Sequence, residues 1–168
     1  MKHAFAGRLS LCFAFVAVAA MFTLPGCSSV PRMKARQVVV NRPDDLKLID
    51  VDIIGVSAGD AEIWRGLNVS KYFDNPDNSQ RKQAKQDGLL LDRPLPLTIE
   101  ESDPVWNEWR TKGVRYLVIL ANLSRTEAAG SSGDTRRAVI DLTDPQYNRK
   151  QILVTVNSGH VSVRAEKR

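Results

Sequence analysis

A stretch of almost unbroken apolar residues at 114–123 constrains the fold more than any other part of the chain. From Tyr116 to Ala121 every side chain is apolar or aromatic. A strand that is apolar on both faces lies inside a sheet and is covered on both sides. The sequence therefore predicts that residues 114–123 form a central strand of a β-rich domain.

A second strand is predicted at residues 46–56, because apolar and charged residues alternate there. Residues 49–53 read Ile-Asp-Val-Asp-Ile. A period of two is typical of a strand with one buried and one solvent-exposed face. Asp50 and Asp52 are therefore expected to project into solvent from one side. Two such carboxylates could bind calcium or act in acid–base catalysis, although solvated strand residues are the preferred interpretation.

Alternating apolar residues predict further strands at 89–99, 138–142, 152–156 and 161–163. Pro94 and Pro96 cannot donate to a ladder, so the first of these strands is expected at a sheet edge or interrupted there. The last two flank the turn residues 157–159 and predict a β-hairpin. Residues 164–168 are expected to form an exposed tail.

Short helices are predicted between the strands. Asp60 is a candidate cap for a helical turn over 60–66, with Ile63 and Trp64 turned inward. Asn78 or Ser79 could cap a polar helix that runs to about residue 85.

A third helix is predicted to begin after Ser102 or Asp103 and to end at Gly113. Trp106 and Trp109 are three residues apart and share one face, which is expected to pack on a sheet. The predicted fold class is mainly β: a two-layer antiparallel β-sandwich with two or three short inserted helices.

The N-terminus has the pattern of a secretory signal that ends at a cysteine. Lys2 and Arg8 precede an apolar run over 9–24, and the sequence then reads Leu24-Pro25-Gly26-Cys27. A basic start and a short apolar segment are typical of a signal peptide rather than of a membrane span. The four residues resemble the bacterial lipobox, which implies that Cys27 is acylated, with a fatty acid such as palmitate. The alternative is an ordinary buried cysteine after a normal signal.

This interpretation divides the chain into a signal at 1–26, an acylated anchor and tether at 27–45, and a sandwich domain at 46–168. The tether could include a short strand at 37–40. Ser28, rather than aspartate, follows the cysteine; by resemblance to sorted lipoproteins this implies the outer membrane, with the domain facing the periplasm. The basic residues of the tether could lie on anionic lipid head groups or could belong to a solvated linker.

The composition excludes several classes of function. The formal net charge is +5 and falls to +3 without residues 1–26, with both signs mixed along the chain, so nucleic acid is not an expected partner. His160 is the one histidine after the signal, and no Cys/His cluster or glycine-rich phosphate loop is present. No enzyme activity, metal or cofactor is therefore predicted.

A family resemblance appears in residues 113–123, which read Gly-Val-Arg-Tyr-Leu-Val-Ile-Leu-Ala-Asn-Leu. This segment resembles a strand of the TssJ family, the outer-membrane lipoproteins of type VI secretion systems. Residues 46–56 are similar to the first long strand of that family, and 60–87 to its inserted helical segment. The resemblance implies a docking lipoprotein whose loops bind the periplasmic part of an inner-membrane secretion component. The alternative is an unrelated outer-membrane lipoprotein that binds a ligand or serves envelope maintenance.

Two loops are the preferred candidates for contact with such a partner. Residues 69–79 and 125–135 are predicted to project from the sandwich, where binding residues concentrate. Aromatic side chains are enriched at the centres of interfaces, but paired aromatics in a loop can also pin it to the core. The candidate partner-binding residues are Lys71, Tyr72, Phe73 and Arg125.

Overall fold

The computed structural model describes residues 33–46, 48–75, 77–124, 133–148 and 150–167. The strands in these residues are β1 (Val38–Asn41), β2 (Val51–Ser57), β3 (Leu97–Ile99), β4 (Val114–Ala121), β5 (Arg137–Asp141), β6 (Lys150–Val156) and β7 (Val161–Lys167). The α-helices are α1 (Ala61–Gly66), α2 (Val69–Asp74), α3 (Ser79–Gln86) and α4 (Val105–Thr111).

The strands form two sheets, and the predicted sandwich class is confirmed. One sheet has the order β3-β1-β6-β7 and the other has the order β2-β4-β5. All neighbouring strands are antiparallel except β1 and β6, which run parallel with Val38 opposite Ile152. Short β3 lies at an edge after Pro94 and Pro96, as the prolines predicted. The β6–β7 hairpin also forms as predicted.

The core between the two sheets is closed by the tryptophans of α4. Trp106 and Trp109 are buried among residues of both sheets, with ring centroids 5.6 Å apart in an edge-to-face arrangement. Trp106 Nε1 donates to Glu100 O at 2.7 Å. Gly55 of β2 lies directly under the other indole, and a Cβ there would come within 3.0 Å of Trp109 Cδ2. The predicted sheet-covering role of this helix is confirmed.

The outer face of the three-stranded sheet is covered by α1, α2 and α3. These helices bury their own apolar side chains against Ile54 and Val56 of β2 and Val118 and Leu120 of β4. The side chains that they contribute are Trp64, Val69, Tyr72 and Ala84. Strand β4 therefore has a layer on each side, as the apolar stretch predicted.

The helical cover also corrects the expected solvent-exposed face of β2. Asp52 is only 5% exposed, because Tyr72 of α2 and Arg81 of α3 lie over it. Asp50 is exposed and precedes the strand, so the two carboxylates do not form a pair on one solvated face. An alternating pattern cannot distinguish a solvated polar residue from one that is bonded beneath a helix.

Three further expectations differ from the structure. Strand β1 lies inside the region assigned to the tether, and its Val38 and Val40 are fully buried, so the sandwich begins before residue 46. Most of the expected tail at 164–168 is the second half of β7. Ile63 of α1 is 57% exposed rather than turned inward, while Trp64 is buried as expected.

Several predictions fall on residues outside the described part of the chain. They concern the signal at 1–26, Cys27, Arg125 and most of the loop at 125–135. Among the residues that are described, no helix has the length and apolar character needed to cross a membrane.

Candidate partner-binding surface

The segment 69–79, predicted to be a loop, is helical over most of its length. Asn68 caps α2 by accepting from Lys71 N at 3.0 Å, and Asn78 caps α3 by accepting from Arg81 N at 3.0 Å. Successive helical residues point about 100° apart. Lys71 is therefore exposed on the outside of α2, while Tyr72 is 0% exposed and faces the sheet. Phe73 is half-buried between these two environments.

Tyr72 takes part in a buried hydrogen-bond network. Its hydroxyl donates to Asp52 Oδ2 at 2.7 Å, and Arg81 binds the same carboxylate through Nε at 2.8 Å and Nη2 at 2.9 Å. Burial, followed by the negative charge of Asp52, raises the pKa of Tyr72 well above its ordinary value. Burial opposes the charge on Arg81, but its bonds to the carboxylate raise the pKa of the guanidinium. Tyr72 therefore belongs to the core, which is the alternative that the sequence left open.

Arg136 joins the two segments that the sequence singled out as contact loops. Its Nη1 donates to Ser70 Oγ on α2 at 3.0 Å and to Leu123 O, just before residues 125–132, at 3.4 Å. Its Nε and Nη2 bind Asp134, just after those residues, at 2.9 and 2.7 Å. A single guanidinium thus fixes α2 and both ends of the loop at 125–135 relative to one another.

The Asp134–Arg136 pair is nearly excluded from solvent. Side-chain exposures are 9% and 6%, and the hydrogen bonds from the guanidinium lower the pKa of the Asp134 carboxyl. The same contacts raise the pKa of Arg136. A buried ion pair with fork geometry holds its partners in one arrangement, whereas removal of one member leaves an uncompensated charge.

An open cleft of about 650 Å³ adjoins the Asp134–Arg136 pair. Its lining includes Glu62 and Arg65 of α1, Asp134 three residues before β5, and Arg137, the first residue of β5. Arg137 Nη1 donates to Leu67 O at 2.6 Å, so a second arginine ties β5 to the α1–α2 connection. We call α2, the α1–α2 connection and residues 133–137 the α2–β5 surface.

The described residues do not assemble a metal-binding constellation. No group of three or more His, Cys, Asp or Glu side chains in them could hold a metal ion. Asp52 is already satisfied by Tyr72 and Arg81. His160 lies exposed at the β6–β7 turn, with its Nε2 3.2 Å from Asn157 Nδ2.

Of the four predicted contact residues, the structure places Lys71 and Phe73 on the α2–β5 surface and Tyr72 beneath it; Arg125 is not described. Sequence reasoning missed the joining role of Arg136. The bonded partners lie 66 and 13 residues away in Ser70 and Leu123, and no local pattern connects such positions. The one local signal was the Asp134-Thr-Arg136 spacing, which places an acid and a base two residues apart.

No protein-family model matches this sequence, and no curated protein matches it. Among solved structures, the chain is similar to Lip from Serratia marcescens, described as a membrane bound component of the type VI secretion system. The two share 15% sequence identity with a TM-score of 0.38, and the alignment covers 79% of this chain and 96% of Lip.

Proposed function

We propose that the protein is an outer-membrane lipoprotein that holds other components of an envelope-spanning, type VI-like secretion complex through protein–protein contacts. The Leu-Pro-Gly-Cys27 motif supports the acyl anchor, and the resemblance of residues 113–123 to TssJ lipoproteins supports the class of complex. The proposed partner is the periplasmic part of an inner-membrane secretion component.

The observation that carries the proposal is the way in which Arg136 binds together α2 and the two ends of the loop at 125–135. Each segment was a candidate contact on sequence grounds, and Arg136 joins Ser70 of the first segment to Leu123 and Asp134 on either side of residues 125–132. Loops held on a rigid scaffold are the usual carriers of binding function. Because the residues bonded to Arg136 are already fixed before a partner binds, less conformational entropy is lost on binding.

Lys71 and Phe73 provide the contact chemistry on the α2 side. Lys71 is exposed, and Phe73 presents part of its ring while packing edge-to-face on Tyr72, with centroids 5.0 Å apart. The Arg81 guanidinium lies 5.6 Å from the Phe73 ring centroid and supports its other side. A half-exposed ring held by neighbours is a suitable interface anchor, because it loses little freedom when it is covered.

The test is capture of the partner from crosslinked cell envelopes by the acylated protein. Lys71→Glu reverses a charge on the α2–β5 surface, and Lys112→Glu makes the same change at an exposed site after α4. We expect wild type and Lys112→Glu to capture an inner-membrane protein with a large periplasmic region, and Lys71→Glu to capture at least about tenfold less, since reversal at a contact centre costs about 1.4 kcal/mol or more. Equal capture by both variants would show that this surface is not the interface.

A further inference from the structure

Residues 33–37, which the sequence assigned to the tether, are fixed to the sandwich. Met33 is 6% exposed and packs in the core between the sheets. Gln37 O accepts from Ile152 N at 2.9 Å, and Gln37 Nε2 donates to Glu100 Oε2 at 3.0 Å. The folded domain therefore includes residues 33–37.

Arg36 clamps this segment to the connection between β5 and β6. It is 4% exposed, and its Nε donates to Leu142 O at 3.1 Å. Its Nη1 donates to Tyr147 O and its Nη2 to Asn148 Oδ1 at 3.3 Å. These three acceptors are uncharged, and burial lowers the pKa of the guanidinium. Burial of a cation is costly unless hydrogen bonds satisfy it, and here they hold the segment in place.

The clamp shortens the reach of the proposed acyl anchor. Met33 follows Cys27 by six residues, and six residues span at most about 20 Å when fully extended. A free tether from residue 27 to 45 would span about 60 Å. We propose that the end of the four-stranded sheet next to Met33 is held facing the lipid surface that carries the acyl chains, an inference that rests on the proposed acylation of Cys27.

The strand register identifies which side chains lie at this end. Val38 at the start of β1 is opposite Ile152 near the start of β6, and Lys150 is opposite Lys167. Lys150 and Lys167 therefore lie at the same end of the sheet as Lys34, which precedes β1. Lysine side chains near a bilayer are attracted to anionic head groups. Acidic side chains lie there too, since Glu100 accepts from Gln37 and Glu166 pairs with Arg164. Because both signs of charge lie at this end, the short link between Cys27 and Met33 sets the orientation of the domain on the membrane, and electrostatic attraction to the head groups contributes less.

The opposite end of the four-stranded sheet contacts residues 133–137 of the α2–β5 surface. Thr135 Oγ1 donates to Gly159 O at 2.9 Å, and Thr135 O accepts from Val161 N at 2.7 Å, so residues 133–137 contact the β6–β7 turn. Strand β6 has seven residues, which separates its two ends by about 20 Å. The proposed orientation therefore directs the α2–β5 surface away from the membrane.

The test is fluorescence quenching by the membrane at the two ends of the sheet. Cys12 lies in the signal and Cys27 is the acylation site, so Lys167→Cys or Ser158→Cys each gives the mature protein one free thiol for a bimane label. The acylated proteins are added to phosphatidylethanolamine–phosphatidylglycerol vesicles that carry nitroxide on the head groups. We expect quenching at position 167 to exceed that at 158 at least about threefold, because the positions are about 20 Å apart along the strands.

A variant with a longer link between Cys27 and Met33 tests whether the shortness of that link causes the orientation. Insertion of about twelve Gly-Ser residues after Ser29 lengthens the link without touching the clamp, and should reduce quenching at 167 towards the level at 158. Unchanged quenching after insertion, or equal quenching at both ends without it, overturns the proposed orientation while leaving the docking function standing. Failure of the proteins to float with the vesicles would instead show that Cys27 carries no anchor, and would remove both proposals.

Discussion

Replacement of Tyr72 by phenylalanine tests whether this residue belongs to the core or to a contact surface. The substitution removes the hydroxyl that donates to Asp52 Oδ2 at 2.7 Å. It keeps the ring, which packs edge-to-face on Trp64 and Phe73 with centroid distances of 6.1 and 5.0 Å. The change therefore isolates one buried, charge-assisted hydrogen bond from the apolar packing around it.

The expected loss of stability follows from the hydrogen bonds that Asp52 keeps after the substitution. A hydrogen bond to a charged group contributes about 1.5–3 kcal/mol, and Arg81 still binds both carboxylate oxygens of Asp52. We expect Tyr72→Phe to lower the free energy of unfolding by about 2 kcal/mol at neutral pH. Tyr72→Ala also removes a fully buried ring, and should cost about 3–5 kcal/mol.

The pH dependence has a definite sign. The pKa of Tyr72 is raised in the folded protein, chiefly by burial, so the folded state holds its proton where the unfolded state releases it. The contribution of the hydroxyl to stability is therefore complete below the unfolded pKa of about 10 and declines as the pH rises above it. The difference in stability between wild type and Tyr72→Phe should shrink above about pH 10.

The assay is urea unfolding of wild type, Tyr72→Phe, Asp52→Asn and the double variant. Groups in direct contact should couple by about 1 kcal/mol or more in this cycle. Strictly additive effects, or a loss below about 0.5 kcal/mol for Tyr72→Phe, would refute the buried network. If that variant were fully stable yet failed to capture the partner, Tyr72 would belong to the interface after all.

Three further changes test separate parts of the structure. Gly55→Ala should cost about 1–3 kcal/mol in urea unfolding, because the new methyl group would crowd the Trp109 indole at 3.0 Å, whereas Gly59→Ala, whose Cβ meets nothing nearer than 3.7 Å, serves as a matched control with little effect. Asp134 has a lowered pKa, so its contribution is present above the unfolded pKa of about 4 and is lost as the pH falls further; Asp134→Asn should flatten the fall in melting temperature between about pH 4 and 2. Cys27→Ser should abolish labelling by a fatty-acid analogue, and equal labelling of both proteins would contradict acylation.

The architecture was largely predictable because period-two patterns and proline positions report directly on strands. The stretch around Tyr116–Ala121 identified a central strand because both of its faces are apolar, and the two prolines after residue 92 identified an edge. The parallel pairing of β1 with β6 was not predictable, because it joins segments more than 100 residues apart. The four residues of β1, Val38–Asn41, are mostly apolar, but nothing in their sequence indicates which strand pairs with them.

The candidate surface was predicted only in outline. Sequence reasoning selected the segments 69–79 and 125–135, and the structure makes their anchored parts neighbours through Arg136. It preferred Tyr72 and Phe73 as contacts because aromatic side chains are enriched at interface centres and rigid rings lose little entropy on binding. Burial depended on helix formation over Val69–Asp74 and on a carboxylate twenty residues earlier, which is a tertiary contact that no local pattern encodes.

Site-specific photocrosslinking in intact envelopes tests whether the α2–β5 surface docks a periplasmic partner. A photoreactive amino acid replaces Lys71 on that surface or Lys112 after α4, both of which are exposed. We expect position 71 to crosslink to the periplasmic part of an inner-membrane secretion component and position 112 not to. A crosslink to that component from position 112 alone, or none from position 71 while the protein is folded and membrane-anchored, would contradict it.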